Sequence, residues 1–280
     1  MRKETVSSTA LLIAAAMVML HEDKKTSGLV STVSADLSAR FLQTQSLWTR
    51  LGLKIVRQPW FRPIASSIEG ATIPGMRRHY ALRKKVLRQM AQEALGHGIK
   101  QFVILGAGFD TLAFELSQEY DAVRFWEIDH PATQMQKTRC LTSVENVRLV
   151  AADLNDNAFP ATALKTLGFN PAQATLWIAE GLLMYFRGDA VRALIESIRQ
   201  LSASGSIFAF TFMKTESDER IRFQKQTRLA DWWLRWRGEP FLWGSSREGI
   251  NKMLQSWRDV TFVEEYDPVC GGEIICRAQL

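Results

Sequence analysis

The 280-residue chain contains only three cysteines, Cys140, Cys270 and Cys276. An odd, sparse set excludes a disulfide framework, and no Cys/His spacing forms a zinc motif. There is no internal repeat, no low-complexity segment and no apolar run long enough to cross a bilayer. Charge of one sign is not concentrated either. Lys and Arg number 35 against 29 Asp and Glu, a formal +6 spread along the chain. That spread reads as a solvated basic surface, and no arginine-rich run or module for duplex binding is present. Neither a nucleic acid nor a membrane is therefore expected as a partner, a reducing cytoplasm fits, and the oligomeric state is not legible. A hydrophobic content of 46% with 23% charged residues is that of a globular protein with a sizeable core.

The start of the chain imitates a secretory leader. Arg2 and Lys3 precede an apolar run from Thr9 to Leu20. The run ends in Leu20-His21-Glu22-Asp23-Lys24-Lys25 without a small-x-small cleavage pattern, so it is read as a buried N-terminal helix. Residues 1–98 read as a helical cap. Ser34 to Leu51 is expected as one helix, Gln58-Pro59 and Arg62-Pro63 as a loop, and Met76 to Leu95 as a strongly basic helix stopped by Gly96-His97-Gly98.

Strands and helices then alternate through residues 99–280. Strands are expected at Phe102–Leu105, Val123–Ile128, Val147–Ala151, Thr175–Ala179, Ile207–Phe212, Val260–Glu264 and Glu273–Arg277. Helices are expected from Thr111, from Pro131, over Ala161–Leu167, after a cap at Asp189, and over Ser246–Trp257. The fold class that follows is α/β, a doubly wound and mostly parallel seven-stranded sheet. An insertion at 214–244, rich in tryptophan and charge, reads as a helical lid, although each tryptophan singly is better explained as core.

The most informative segment is Val103-Ile104-Leu105-Gly106-Ala107-Gly108-Phe109-Asp110-Thr111. A strand that ends in Gly-x-Gly lets the backbone turn sharply and approach a ligand. Three later strand ends carry acids: Asp129, Asp153 and Glu180. Ligands of such sheets bind beyond the carboxyl ends of the strands, so these positions should surround one crevice. Asp129, 21 residues after Gly108, suits the two hydroxyls of a ribose; a helix cap before Pro131 is the alternative. Asp153 suits the exocyclic amine of adenine, with Leu154 on the ring face; an Asx turn into Asn155-Asp156-Asn157 is the alternative. Glu180 suits a cationic group, since a buried glutamate without a cationic partner is costly. A dinucleotide fingerprint needs a third glycine at 111, where this chain has Thr111. Asp110 would repel a pyrophosphate but tolerate the sulfonium of S-adenosylmethionine (SAM); the competing reading is a simple acid at a helix start. Arg83 could clamp the carboxylate of a methionine moiety, while its basic neighbours read as surface charge.

These motifs, taken in order, resemble the leucine carboxyl methyltransferase family. The matching residues are Leu105 to Thr111, Trp126-Glu127-Ile128-Asp129-His130-Pro131 with Lys137, Asp153-Leu154, and Glu180 to Phe186. Gly238-Glu239-Pro240-Phe241 with Trp243-Gly244 resembles a later family segment. The chain is more similar to the bacterial branch, which includes polyketide carboxyl O-methyltransferases, than to the eukaryotic phosphatase-modifying enzymes. The resemblance implies a class I SAM-dependent fold, with cofactor contacts at Arg83, Gly106, Ala107, Gly108, Asp129, Asp153, Leu154 and Glu180. It is strengthened at Tyr80 and Arg83, which fall at the spacing of a family Tyr and Arg. Two departures stand out: Leu112 replaces a common Arg, and Glu115 replaces another. Ile13 stands near the position of an N-terminal Lys used by the eukaryotic members.

The expected function is O-methylation of the carboxylate of a small-molecule acid. An ionised carboxylate needs no strong general base. Tyr185, just past the fourth strand, is the candidate for orienting the acceptor. His79 and His130 would be the nearest bases for a phenol or enol acceptor. The alternatives are an NAD-dependent oxidoreductase and a SAM-binding protein without turnover. No metal is expected.

Overall fold

The computed structural model describes residues 7–141, 144–155, 159–215, 220–264, 266–267 and 269–280. Seven strands form one sheet: β1 (Gln101–Leu105), β2 (Arg124–Asp129), β3 (Val147–Ala151), β4 (Thr175–Ala179), β5 (Ile207–Met213), β6 (Arg258–Val263) and β7 (Glu273–Gln279). Their order is β3-β2-β1-β4-β5-β7-β6. The first five pair in parallel, while β7 runs antiparallel to β5 and β6, so the sheet is mixed. Every residue of β1, β4 and β5 is buried. That explains their near-continuous apolar sequences, because a central parallel strand is covered on both faces.

Among the described residues, five α-helices precede the sheet: α1 (Ser8–Glu22), α2 (Thr32–Gln43), α3 (Leu47–Val56), α4 (Phe61–Ala71) and α5 (Met76–Gly96). Four more connect the strands: α6 (Leu112–Glu119), α7 (Pro131–Cys140), α8 (Ala161–Thr166) and α9 (Gly188–Gln200). The insertion carries α10 (Arg228–Arg237), and α11 (Arg247–Met253) precedes β6. The pleat divides the core in two. Phe102 and Ile104 pack with Leu87, Ala113 and Leu116 on one face, together with Val18 and Phe41 of the N-terminal helices. Val103 and Leu105 pack with Trp177, Val191 and Ile195 on the other.

Several local expectations are corrected. The expected helix over Ser34 to Leu51 is two helices, because Ser46 caps a new start by accepting from the Thr49 N–H. Pro63 lies in the first turn of α4 rather than in a loop; a missing N–H costs nothing there. Asp189 is not the cap of α9 but sits in its first turn, with Arg187 at the cap position. The helix expected over Ser246 to Trp257 is shorter, with Ser246 as its cap. Trp243 is core, but Trp232 and Trp236 are exposed, against the expectation of burial.

The insertion reaches across to the N-terminal helix. Glu239 accepts from the backbone N–H groups of Ser8 at 2.9 Å and Thr9 at 3.1 Å, and from the Thr9 hydroxyl at 2.5 Å. Those N–H groups belong to the first turn of α1, where no intrahelical acceptor exists. A carboxylate there also complements the helix dipole. Replacing Glu239 by Ala is expected to cost about 1–2 kcal/mol, the range for a lost cap. Hydrogen exchange should then quicken in the first turn of α1; unchanged exchange there would contradict the assigned cap.

Candidate functional site

Strand β1 lies between β2 and β4, with the chain continuing to opposite sides of it. This is the switch point at which doubly wound sheets open a crevice. A cavity of about 470 Å³ occupies it, within the range of small-molecule sites. All nine expected residues line this cavity: Arg83, Gly106, Ala107, Gly108, Asp129, Asp153, Leu154, Glu180 and Tyr185. Ser7, Thr9, Ala10 and Ile13 of the N-terminal segment and Gly238, Glu239, Pro240 and Leu242 of the insertion close its upper side.

The glycine loop is shaped by close approach. Gly106 has φ +61°, and a Cβ there would run into the Leu182 side chain. Gly108 has φ +50°, and its N–H points at Asp129 Oδ2 from 2.5 Å. The other Asp129 oxygen accepts from the His130 N–H at 2.6 Å. Burial pushes the Asp129 carboxyl upward, and these two bonds oppose that shift. Two backbone donors thus fix the carboxylate's orientation while each oxygen keeps a further lone pair. Asp153 does make the Asx turn, accepting from the Asn155 N–H at 2.9 Å, and it still borders the cavity. The expected continuation through Asp156 and Asn157 lies outside the described residues.

Beneath the cavity runs a chain of buried charges. Arg83 is 3% exposed. Its Nε donates to Glu180 Oε1 at 3.0 Å, and Nη1 donates to both oxygens of Glu273 at 3.1 and 3.0 Å. Gly181 has φ +59°, and a Cβ there would press on the Arg83 guanidinium at 3.1 Å. Lys84 bridges Asp110 at 2.5 Å and Glu180 at 3.2 Å. Glu180 therefore has two cationic partners of its own, so its cost does not by itself demand a cationic ligand. Asp110 is neither a free acid beside a ligand nor a plain helix acid. Burial pushes its carboxyl up, and Lys84 with Lys137 outweighs that and lowers it. By sequence Lys84 reads as surface charge; in fact it holds the Asp110 carboxylate at the end of the glycine loop.

One turn before Arg83 stands His79, fully buried. Its Nε2 is 2.6 Å from Glu273 Oε2, and its Nδ1 is 3.0 Å from Asp267 Oδ2. Burial pulls the imidazole down, but the two carboxylates raise it overall. Held this way, and absent from the cavity lining, His79 does not serve as the base for an acceptor. His130 borders the cavity, with Nδ1 accepting from the Ala132 N–H at 3.3 Å. Sequence reasoning missed Lys84, Glu239, Asp267 and Glu273. Two signals were available: a lone Glu starting the apolar strand Glu273-Ile274-Ile275-Cys276, and a His79–Arg83 pair one turn apart on a helix that packs on the sheet.

The loop is braced from the far side by Lys137, fully buried beside Glu127 at 2.6 Å. Its ammonium donates to the Asp110 carbonyl at 2.7 Å. Burial pushes the Glu127 carboxyl up to about 7, with Lys137 acting against it. The two family departures are structural. Leu112 is in the core, and Glu115 accepts from Ser31, Thr111 and Arg88, joining α2, α6 and α5.

The family model for leucine carboxyl methyltransferases matches residues 11–199, spanning the cap, the glycine loop and all three strand-end acids. The chain belongs to the leucine carboxyl methyltransferase family. Among curated relatives, a Frankia alni protein provisionally named an S-adenosyl-L-methionine-dependent methyltransferase is 36% identical over 147 residues, 50% of each chain. A Mycolicibacterium smegmatis protein of the same provisional name is 38% identical over 158 residues, 54% of this chain and 51% of the relative. The chain thus spans about half the length of the curated relatives it matches. A solved Thermobifida fusca structure, provisionally named a methyltransferase, superposes with a TM-score of 0.61 at 18% identity, over 86% of this chain and 93% of that one. A DUF574 family protein from Streptomyces avermitilis gives 0.57 at 12% identity, over 99% and 98%. At these identities the two structures bear on the fold alone.

The Glu273 carboxylate makes a prediction about this family member. Burial raises its pKa, but Arg83 and His79 bring it down to about 2, from an ordinary 4.5. A lowered carboxyl stabilises the fold above its unfolded pKa and loses that contribution as pH falls through the folded value. Wild-type stability in urea should therefore decline between about pH 4.5 and pH 2 more steeply than that of Glu273→Gln. At neutral pH the substitution should cost about 3 kcal/mol or more, because Arg83 is left partly unpaired. Equal acid profiles for the two proteins would contradict the network.

Proposed function

We propose that this chain is a SAM-dependent methyltransferase that methylates a carboxylate oxygen of a small-molecule acid. One observation carries the reading: the glycine loop, three strand-end acids and a buried arginine share a single cavity. The donor set fits a nucleoside joined to a zwitterionic amino acid. Asp129, oriented by two N–H groups, accepts the ribose hydroxyls. Asp153 accepts the adenine amine, and Leu154 packs on the ring face. At the opposite end Arg83 and Lys84 present positive charge and Glu180 negative charge, complementary to a carboxylate and an ammonium. Gly106 and Gly108 leave the backbone open to close approach.

When bound, SAM supplies an electrophilic methyl group on a sulfonium. The protein's part is to position, desolvate and exclude water. Tyr185 is the orienting residue. Burial raises its phenol well above the ordinary value, so it stays a hydrogen-bond donor to an acceptor oxygen. A carboxylate acceptor needs no proton removed, which accords with His79 being locked away from the cavity. The first turn of α1 and the Gly238–Leu242 segment, joined through Glu239, shield the reacting atoms from water.

Titration with SAM and with NADH separates this reading from an oxidoreductase; NADH binding without SAM binding would end it. Asp129→Ala should weaken SAM about tenfold to a hundredfold, the loss of hydrogen bonds to a charged acceptor. With labelled SAM and a panel of aliphatic and aromatic acids, label should enter a product that mild base releases as methanol. A base-stable label would identify an ether or amine product and overturn carboxyl methylation.

A further inference from the structure

Three helices turn apolar faces outward. On α3, Leu47, Leu51 and Ile55 recur every four residues with Trp48 alongside, and Leu47 and Trp48 are 66% and 80% exposed. On α4, Ile64 and Ile68 continue a row from Trp60, all exposed. On α10, Leu229, Trp232 and Trp236 share one side; the two tryptophans are about 60% exposed (61% and 59%), with rings stacked 5° apart. The start of α10 meets the end of α4, where Thr227 donates to the carbonyls of Thr72 and Ala71, and α3 packs next to α4. The end of α10 leads straight into Gly238–Leu242 at the cavity.

The charge on these helices is mostly positive. Arg50 and Lys54 lie on α3, and Arg228, Arg235 and Arg237 on α10, with Arg237 lying over the Trp233 and Trp236 rings. The nearby carboxylates have partners within the chain: Glu69 binds Arg77, Asp231 accepts from Gln226, Glu239 caps α1, and Glu22 and Asp23 pair with Arg57 and Arg62. A ridge of Trp, Leu and Ile edged by Arg and Lys is the composition of a helix that lies in a lipid headgroup layer. The rings suit the interface, and the cations suit anionic headgroups. A second copy of the chain fits less well, because a two-fold contact would set these arginine edges against each other. Stacked nucleotide bases fit less well too, since most of the exposed side chains are aliphatic.

We propose that the exposed faces of α3, α4 and α10 dock on the surface of an anionic phospholipid bilayer. Among the described residues no helix is long and apolar enough to cross a membrane, and a surface-bound helix needs no such length. The proposal departs from the expectation that no membrane is a partner, and it is independent of what the cavity holds.

The test is co-sedimentation of the full chain with vesicles of phosphatidylcholine alone and of phosphatidylcholine mixed with phosphatidylglycerol. Binding to the mixed vesicles should be at least about tenfold tighter, should weaken as salt is raised, and should blue-shift tryptophan emission. Trp232→Ser combined with Trp236→Ser should weaken it at least about tenfold, as should Trp48→Ser with Leu47→Ser on the other helix. Thermal melting and SAM titration of the same variants verify that each is folded. Equal binding to both vesicle types, no binding to either, or variants that bind like the wild type would overturn the proposal. So would light scattering that shows a dimer whose tryptophan emission is already blue-shifted without lipid.

Discussion

The arrangement depends on one buried cation. Arg83 leaves the basic helix α5 and is gripped by carboxylates from two strands, Glu180 after β4 and Glu273 on β7. A guanidinium so deep costs several kcal/mol to desolvate and is tolerable only when its donors are met in good geometry. Meeting them fixes the distance between the cap helix and the sheet rim. It also dictates Gly181, because a side chain there would displace the guanidinium. His79 and Asp267 extend the same constraint along the rim.

From this anchor the cavity wall follows. Lys84, next along α5, holds Asp110, and Lys137 holds the carbonyl of the same residue from α7. The glycine loop is thus clamped between two lysines and has little freedom to adapt. Asp129 completes the clamp by accepting from Gly108. Across the opening, the first turn of α1 is tethered by Glu239 of the insertion rather than by the sheet. A rigid floor and a roof held by one carboxylate suit a site that must admit a ligand and then exclude water.

Much of this was legible in the sequence, for identifiable reasons. The strands of the parallel half are short apolar runs punctuated by glycine or an acid, and a buried parallel strand has little alternative. Every residue named for the crevice reached it, because strand ends are placed by topology alone. The cap was less legible. Ser46 restarts a helix in an amphipathic stretch that reads as continuous, and Pro63 sits where proline is helix-compatible. The charge chain was hidden for another reason. Lys84 and Glu273 are far apart in sequence, and a basic helix looks the same whether its charges meet water or buried acids. The tryptophans of α10 misled because burial is their usual fate, yet α10 packs through Ala230 and Leu234 and leaves Trp232 and Trp236 outside.

The rim is proposed to hold a sulfonium nucleoside with its ends assigned. A crystal structure with S-adenosylhomocysteine tests it most directly. Ribose hydroxyls are expected on Asp129, adenine between Asp153 and Leu154, and the amino acid end against Arg83 and Glu180. Density for the ligand elsewhere, or in the cavity with its ribose turned away from Asp129, would contradict it.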